Sequence, residues 1–240
     1  MARTKLPLTK WLRAVHLFYT HRSGVSAQIL QREIEVTYKV AWRMGHQIRS
    51  LMADPNPDPL RKIVEVDETY VGGRKRAGSK KPIPKKTAVF GTLERGGRVR
   101  TTAVQQVNKA TLFTLIQENV ELGTTIYSDE HSLYTKLPKA GYPHDSVLHK
   151  AHEWRRGNVT TNAMEGHWSR VKRTIRGAYV WVSPQWLQSY LDECSFLHNR
   201  RHCPALVVED LLARMLRPLS SGVRKGPPGL RQTPSRSRAK

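Results

Sequence analysis

The first fifty residues carry apolar side chains at the spacing of helices. In the segment TKWLRAVHLFYTHRSG, Trp11, Val15 and Phe18 recur every three or four positions before a glycine interrupts the pattern. Ser26 is placed as the N-cap of a second helix over SAQILQREI, and Thr37 as that of a third over YKVAWRMGHQIRSLM. The pattern therefore predicts a short helical unit whose last two helices are joined by a tight Glu-Val turn.

The pattern changes after DPNPDPL (54–60), where three prolines in seven residues predict a linker. Alternation typical of strands follows, interrupted by helical periodicity. The predicted elements are a strand over 63–73, two strands around a Gly-Gly hairpin over 86–104, a helix over 108–122, a strand over 124–129 and helices over 162–176 and 184–200. Strand, hairpin, helix and strand form the opening order of an RNase H-like mixed α/β core.

We therefore predict an α/β fold in which an RNase H-like mixed sheet core follows a small N-terminal helix-turn-helix unit. The predicted organisation is a helix-turn-helix DNA-binding region over 1–53, a linker over 54–61, a catalytic RNase H-like domain over 62–216 and a disordered basic tail over 217–240. On pattern alone, the N-terminal unit is equally well described as a plain helical bundle with a solvated basic face.

Charge indicates the class of partner. The chain has 41 Lys and Arg against 19 Asp and Glu, a formal net charge of +22, which favours a polyanionic partner. Nucleic acid comes first, because a membrane surface is disfavoured by the lack of a long apolar run or signal peptide. The spacing of Cys194 and Cys203 fits neither a CxxC pair nor a disulfide framework. We expect a cytoplasmic protein associated with the bacterial nucleoid.

Three acidic residues stand out among the few present. Asp67 lies within an apolar strand, Asp129 ends a strand, and Glu165 lies on a helix with Lys172 two turns later on the same face. Alone, each acid has a structural explanation as a cap, a turn residue or one member of an ion pair. Together they match the oxygen ligands that Mg²⁺ or Mn²⁺ prefers in a two-metal phosphodiester site. Without metal, their repulsion should raise at least one pKa.

The segments around these acids resemble the DDE transposases of bacterial insertion sequences, in particular the insertion sequence 1595 family. These segments are VEVDETYVGG around Asp67, IYSDEHSLY around Asp129 and TNAMEGHWSRVKRTIRGAY around Glu165, and YLDECSFLHNRR is similar to the segment that closes the family's domain. The 35 residues between Asp129 and Glu165 also fit DDE recombinases. The resemblance covers residues 5–215, roughly the whole predicted folded part.

The resemblance implies metal-dependent strand cleavage at transposon ends, followed by attack of the freed 3′-hydroxyl on target DNA. It implies double-stranded DNA partners, namely terminal inverted repeats and target DNA, and a homo-oligomer that brings two ends together. Asp67, Asp129 and Glu165 would be the metal ligands and, with Lys172, the catalytic residues. Some family members use Asn as the third ligand, which makes Asn162 a rival to Glu165.

Two departures from the family keep other functions open. No four-cysteine zinc ribbon precedes the domain, so we expect no zinc in this chain and keep open an N-terminally truncated or degenerate copy. Thr160 stands where the family has His before the Asn motif. The alternatives are a catalytically decayed transposase that acts only as a DNA-binding protein, and an RNase H-like nuclease. The candidate DNA-binding residues are Lys39, Arg43, Arg49, Arg74, Lys75, Arg76, Lys80, Lys81, Arg170 and Arg173.

Overall fold

The elements of the computed structural model follow the predicted order. The structure describes residues 4–54, 57–73, 86–129, 134–147 and 156–216. Its helices are α1 (Leu8–Thr20), α2 (Ala27–Ile34), α3 (Tyr38–Met52), α4 (Lys109–Asn119), α5 (Asn162–Thr174), α6 (Pro184–Asn199) and α7 (Ala205–Leu216). Its strands are β1 (Ile63–Gly72), β2 (Lys86–Glu94), β3 (Val99–Val104), β4 (Thr125–Asp129) and β5 (His144–Val147). The predicted helices and strands are confirmed, while α7 and β5 were not predicted. The segment predicted as a disordered tail lies outside the described residues.

Five strands form one mixed sheet in the order β3-β2-β1-β4-β5. The first three are antiparallel neighbours, whereas β4 lies parallel to β1 and β5 parallel to β4. The predicted Gly-Gly hairpin joins β2 to β3, closed by the Glu94 N–H donating to the Arg98 carbonyl at 2.8 Å. This arrangement confirms the prediction of an RNase H-like mixed α/β core.

Helices cover both faces of this sheet. The period-two alternation of β1 directs Val64 and Val66 to one face, where they pack with Leu112 and Ile116 of α4. Val71 points to the other face and packs with residues of α5 and α6. Both sheet faces are therefore buried, and α5 lies directly against β2 and against β1, which carries Asp67.

The N-terminal helices share a core with the C-terminal part of the chain. Trp11, Phe18 and Ile48 are buried together with Phe196 of α6 and Leu211 of α7. Ser26 caps α2 as predicted, accepting the Ile29 N–H at 3.2 Å, whereas the side chain of Thr37, at the N-cap of α3, makes no capping hydrogen bond. The domain boundaries remain a prediction, because these helices complete their apolar core only with α6 and α7.

The structure corrects the DNA-binding role predicted for Arg49. Its side chain faces α6, and the residue is only 3% exposed. The guanidinium donates to Glu193 at 2.8 Å and to the Val25 carbonyl at 2.8 Å, and it lies over the Tyr190 ring. Because Arg49 lies on the face of α3 that packs against α6, it is paired inside the protein and cannot reach a phosphate. No helix in the described ranges combines the length and apolarity needed to span a membrane.

Candidate active site

The parallel pairing of β1 with β4 places Asp67 beside Asp129. The last paired residues are Glu65 and Tyr127, and the two aspartates follow two positions later on each strand. Side chains two positions apart on a strand share a face. The aspartates therefore lie next to each other, Asp129 at the carboxyl end of β4 and Asp67 in the middle of β1, just beyond its pairing with β4.

A third carboxylate joins this pair. Ligand atoms of Asp67, Glu68 and Asp129 all lie within 4.8 Å of one another, the one such group of three or more potential metal ligands in the part of the chain that the structure describes. Glu68 also accepts a hydrogen bond from the hydroxyl of Tyr134. Glu68 was not among the predicted ligands, because strand alternation directs the side chains of neighbouring residues to opposite faces. The adjacent acids in VDET were the signal available.

Asp67 is held by two hydrogen bonds and is electrostatically crowded. Its Oδ2 accepts the indole N–H of Trp168 at 3.0 Å, and its Oδ1 accepts the N–H of Glu68 at 2.8 Å. Burial, followed by repulsion from Asp129 and Glu68, raises the pKa of Asp67 to about 7 despite these hydrogen bonds. This confirms the expectation that crowding raises at least one carboxyl pKa, with burial as the larger cause.

Asp129 has a buried carboxylate oxygen available for a ligand. Its Oδ1 is buried and has no hydrogen-bond partner among the described residues. A buried polar atom without a partner costs about 1–3 kcal/mol, so it is rare unless a ligand or water completes it. Carboxylate oxygens crowded in this way fit a hard divalent cation, whose charge offsets their repulsion.

A glycine lets α5 approach close to Asp67. Gly91 is the cross-strand partner of Asp67 on β2. A Cβ atom on Gly91 would lie 2.6 Å from Cζ2 of Trp168 and would also collide with Met164. The missing side chain therefore gives the indole the space from which it donates to Asp67. Neither Gly91 nor Trp168 was predicted to shape the site.

A buried ion pair fixes the start of α5. Glu65, only 1% exposed, accepts the N–H groups of Ala163 and Met164 at 2.9 and 3.0 Å and pairs with Arg95 at 2.8 Å. Arg95 also donates to the Thr160 carbonyl at 3.0 Å. A carboxylate at a helix N-terminus satisfies free N–H groups and favours the helix dipole. Glu65 thus positions α5 against β1, a role that its sequence position did not indicate.

Glu165 and its rival lie on α5 outside the carboxylate cluster. Glu165 is exposed in the first turn of α5, three residues before Trp168, and its Oε1 lies 3.4 Å from the Thr161 hydroxyl. Asn162 is exposed as the first residue of the helix. Lys172 is half-buried two turns after Glu165 and borders an open depression with Arg173. The structure brings Asp67 and Asp129 together and leaves the choice of third ligand a prediction.

A family model decides the relationship of this chain to known proteins. The model described as the ISXO2-like transposase domain matches residues 59–199, more than half of the chain and every element from β1 to α6. The chain belongs to the ISXO2-like transposase family. The resemblance drawn from the three acidic segments is thereby confirmed.

Individual relatives of this transposase-family chain are distant. An uncharacterized protein in the transposable element ISH50 of Halobacterium salinarum is 27% identical over 194 residues, which cover 74% of this chain and 63% of that protein. An uncharacterized transposase-like protein of Haemophilus influenzae is 26% identical over 102 residues, covering 42% of this chain and 81% of its own. The chain thus spans less than two thirds of the length of the first relative.

Solved structures of Mos1 also align with this chain. A chain of the Mos1 strand transfer complex aligns over 89% of this chain and 81% of its own, with 12% identity and a TM-score of 0.28. A pre-cleavage Mos1 transpososome aligns over 89% of this chain and 82% of its own, with 11% identity and the same TM-score. A TM-score this low gives no residue-by-residue correspondence.

The predicted DNA-contacting residues fall into three groups in this transposase-family chain. Lys39 and Arg43 are exposed one turn apart on α3, and Arg170 and Arg173 are exposed on α5. Arg49 is buried, as described above. The remaining five lie outside the described residues, namely Arg74, Lys75, Arg76, Lys80 and Lys81. The exposed residues present positive charge on α3 of the N-terminal unit and on α5, which carries Glu165.

Proposed function

We propose that this protein is a transposase that cuts and joins DNA strands at insertion-sequence ends with the help of divalent metal ions. The observation that carries this proposal is the adjacent pair Asp67 and Asp129 on the parallel strands β1 and β4, where one Asp129 carboxylate oxygen is buried and has no hydrogen-bond partner among the described residues. Family membership supports DNA transposition as the process. The site supplies oxygen ligands of the type that Mg²⁺ and Mn²⁺ require.

Asp67 and Asp129 would hold the metal, and Glu165 would complete the set from α5, with Asn162 as the rival. Two bound ions would activate the attacking oxygen and stabilise the departing one. Trp168 fixes the Asp67 carboxylate in one orientation through its N–H donor. Glu65 and Arg95 hold the start of α5, which limits how far Glu165 can move from the aspartates. Glu68 adds negative charge beside them, which further favours a cation.

DNA binding would combine the N-terminal helices with α5. The pair α2 and α3, joined by a turn in which Glu35 has a φ of 57°, supports a helix-turn-helix that presents Lys39 and Arg43 to phosphates. Lys172 lies two turns after Glu165, so its ammonium group would contact the phosphate nearest the reacting bond. The basic segment 74–81 would add further phosphate contacts, and a homo-oligomer would hold two transposon ends together.

The decisive experiment follows cleavage and joining of a duplex that carries the inverted repeats flanking the reading frame, with a supercoiled plasmid as target. With Mg²⁺ we expect nicks at the repeat ends and joined products. Asp67→Asn, Asp129→Asn and Glu165→Gln should each lower the rate at least about 10²-fold. Glu209→Gln, which removes an exposed carboxylate on α7, is the control and should keep the native rate.

Metal binding is measured separately from activity, as Mn²⁺ bound to the full chain by electron paramagnetic resonance. Asp67→Asn and Asp129→Asn should weaken Mn²⁺ binding, and comparison of Glu165→Gln with Asn162→Ala identifies the third ligand. Full activity in Asp67→Asn would refute the proposal. Cut but unjoined DNA would favour the nuclease. DNA binding without any metal-dependent cutting would favour the decayed transposase, for which Thr160 is the motivating departure.

A further inference from the structure

A second site lies on the flank of α5 opposite Glu165. A pocket of about 230 Å³ is lined there by His167, Arg170 and Thr174, together with residues of α6 and Arg22 from the segment between α1 and α2. At 100° per residue, His167 and Arg170 point away from Glu165 around the helix axis. None of the residues that line the pocket belongs to the carboxylate cluster of Asp67, Glu68 and Asp129, and the pocket joins the N-terminal helices to α5.

His167 shows that the pocket is built for a polar ligand. The residue is 1% exposed, and neither Nδ1 nor Nε2 has a hydrogen-bond partner among the described residues. In either neutral tautomer, one ring nitrogen donates and the other accepts, so the ring leaves one donor and one acceptor unused. Native proteins rarely bury such groups without a ligand or an ordered water. The N–H of His167 thus needs an acceptor on the pocket side.

The charges around this pocket favour an anion as that acceptor. Within the described ranges, Arg22, Arg170 and Arg201 form no ion pair, and all three line the pocket. Glu193, the one carboxylate lining it, is already neutralised by Arg49 at 2.8 Å and by the Tyr179 hydroxyl at 2.7 Å. The pocket therefore has uncompensated positive charge and buried donors.

We propose that this pocket binds a phosphate group, and that the phosphate belongs to the DNA backbone. A tetrahedral phosphate offers oxygens to the His167 N–H and to Arg22 and Arg170 at once. A volume of 230 Å³ holds several water molecules of about 30 Å³ each, which leaves room for the phosphate and its ester links. The assignment to DNA rests on the proposed function, whereas the phosphate site itself does not.

A DNA phosphate bound in this pocket would contact two parts of the molecule at once. Arg22 belongs to the segment that precedes α2, and Arg170 lies on the same helix as Glu165. One backbone phosphate held by both would fix the position of the DNA relative to the N-terminal helices and to the active-site helix. This pocket would then set the register of the bound strand without reading its bases.

The test uses the full chain and two probes, inorganic phosphate and a duplex with the terminal repeat. At constant ionic strength, phosphate in place of chloride should raise the unfolding midpoint by a few degrees, since a ligand that binds only the folded state stabilises it. The double variant Arg22→Gln/Arg170→Gln should lose that rise. Arg61→Gln, which removes an exposed arginine paired with Glu121, should keep it. The ring ¹⁵N signals of His167 in the native chain should shift with phosphate.

The DNA probe separates the two sources of phosphate. The double variant should bind the duplex about tenfold more weakly, with the slope of log affinity against log salt reduced by about 1, as expected for one lost phosphate contact. A lost phosphate response with unchanged DNA binding would overturn the DNA assignment in favour of free phosphate. Equal midpoints in phosphate and chloride, with unshifted His167 signals, would overturn the site itself. A retained phosphate response in a chain that never cuts DNA would support the site while refuting the proposed strand transfer.

Discussion

At the scale of single residues, the carboxyl group of Asp67 is buried in a site that disfavours its charge. Its pKa of about 7 means that the folded protein retains a proton that the unfolded chain has already released. As pH rises from about 4 to about 7, the free energy of unfolding therefore falls, and it stays level above that range. A metal ion would reverse this penalty, because the ionised form is its ligand.

Asp67→Asn should consequently make the metal-free protein more stable at alkaline pH. In chelator at pH 8 we expect a gain of about 2–4 kcal/mol, given about 1.4 kcal/mol for each pKa unit. At pH 4 native and variant chains should unfold together. Urea unfolding at both pH values measures this difference in stability. Asp54→Asn, which removes an exposed carboxylate, is the control. A variant no more stable than the native chain at pH 8 would contradict the raised pKa.

Gly91 tests the close approach of α5 to the strands. Gly91→Ala should push Trp168 and Met164 away, lowering stability by about 2–4 kcal/mol and breaking the hydrogen bond to Asp67. We expect a change in Trp fluorescence and weaker Mn²⁺ binding, both measured at a temperature where the variant is folded. Gly166→Ala is the matched control, because a Cβ there meets no atom within 4 Å. Equal behaviour of the two variants would argue against this role for Gly91.

At the scale of elements, the sides of α5 contribute to three different surfaces of the molecule. Met164, Trp168 and Val171 pack against the sheet. His167 and Arg170 line the phosphate pocket. Ser169, Lys172, Arg173 and Arg176 border an open, basic depression of about 570 Å³. Because the carboxylate of Glu65 accepts the N–H groups of the first turn of α5, this one buried residue positions all three surfaces.

The turn at Val180, which follows a short π-helix (Ile175–Tyr179) at the end of α5, carries backbone strain. Val180 has a φ of 62° and a ψ of −50°, and the Trp181 N–H donates to the Tyr179 carbonyl at 2.6 Å, which makes a γ-turn of the rare, strained kind. The residue is 60% exposed. The turn lets Tyr179 reach Glu193 and the Val25 N–H while α6 begins at Pro184.

Val180→Gly should therefore stabilise the protein, although glycine usually destabilises. Relief of about 1–2 kcal/mol of strain exceeds the entropic cost of glycine, about 0.5–1 kcal/mol, for a net gain of about 0.5–1 kcal/mol. Val180→Ala keeps the Cβ and should gain nothing. Calorimetric unfolding of the native chain and the two variants measures these differences in stability. An alanine variant more stable than the glycine variant would show that the turn is not strained.

At the scale of the whole molecule, the Arg49–Glu193 pair joins α3 to α6. Both side chains are at most 4% exposed, and Tyr179 links the pair to Val25. The N-terminal helices therefore dock on the sheet-covering helices through a polar contact inside an apolar interface. Loss of one partner would leave a buried charge unpaired, which is far costlier than loss of an exposed pair.

Replacement of each of two arginines on α3 should consequently have opposite effects on stability and on DNA binding. Arg49→Met should lower the free energy of unfolding by about 3–5 kcal/mol by leaving Glu193 unpaired. Arg43→Met should change stability by less than about 0.5 kcal/mol, yet weaken DNA binding and reduce its salt dependence by about one contact. Urea unfolding and duplex binding at several salt concentrations measure both. Unchanged stability in Arg49→Met would show that the pair is not essential to docking.

Local patterns in the chain were enough to predict the mixed α/β class and all the strands and α-helices except β5 and α7. Neighbouring residues alone set the helical spacing around Trp11 and Phe18 and the alternation around Asp67. Both patterns can therefore be recognised without knowledge of the tertiary contacts. The acids in VDET and YSD carried the family resemblance for the same reason.

Only the tertiary structure decided which of those groups meet. That Asp129 joins Asp67 and Glu68, that Glu65 begins α5, that Gly91 makes room for Trp168 and that Arg49 is buried all depend on contacts between elements distant in sequence. Periodicity says which face a side chain occupies, whereas burial and pairing depend on what packs against that face. Sequence alone therefore predicts that an arginine on a basic helix contacts DNA. Only the packing of a second helix against it shows that the arginine is buried.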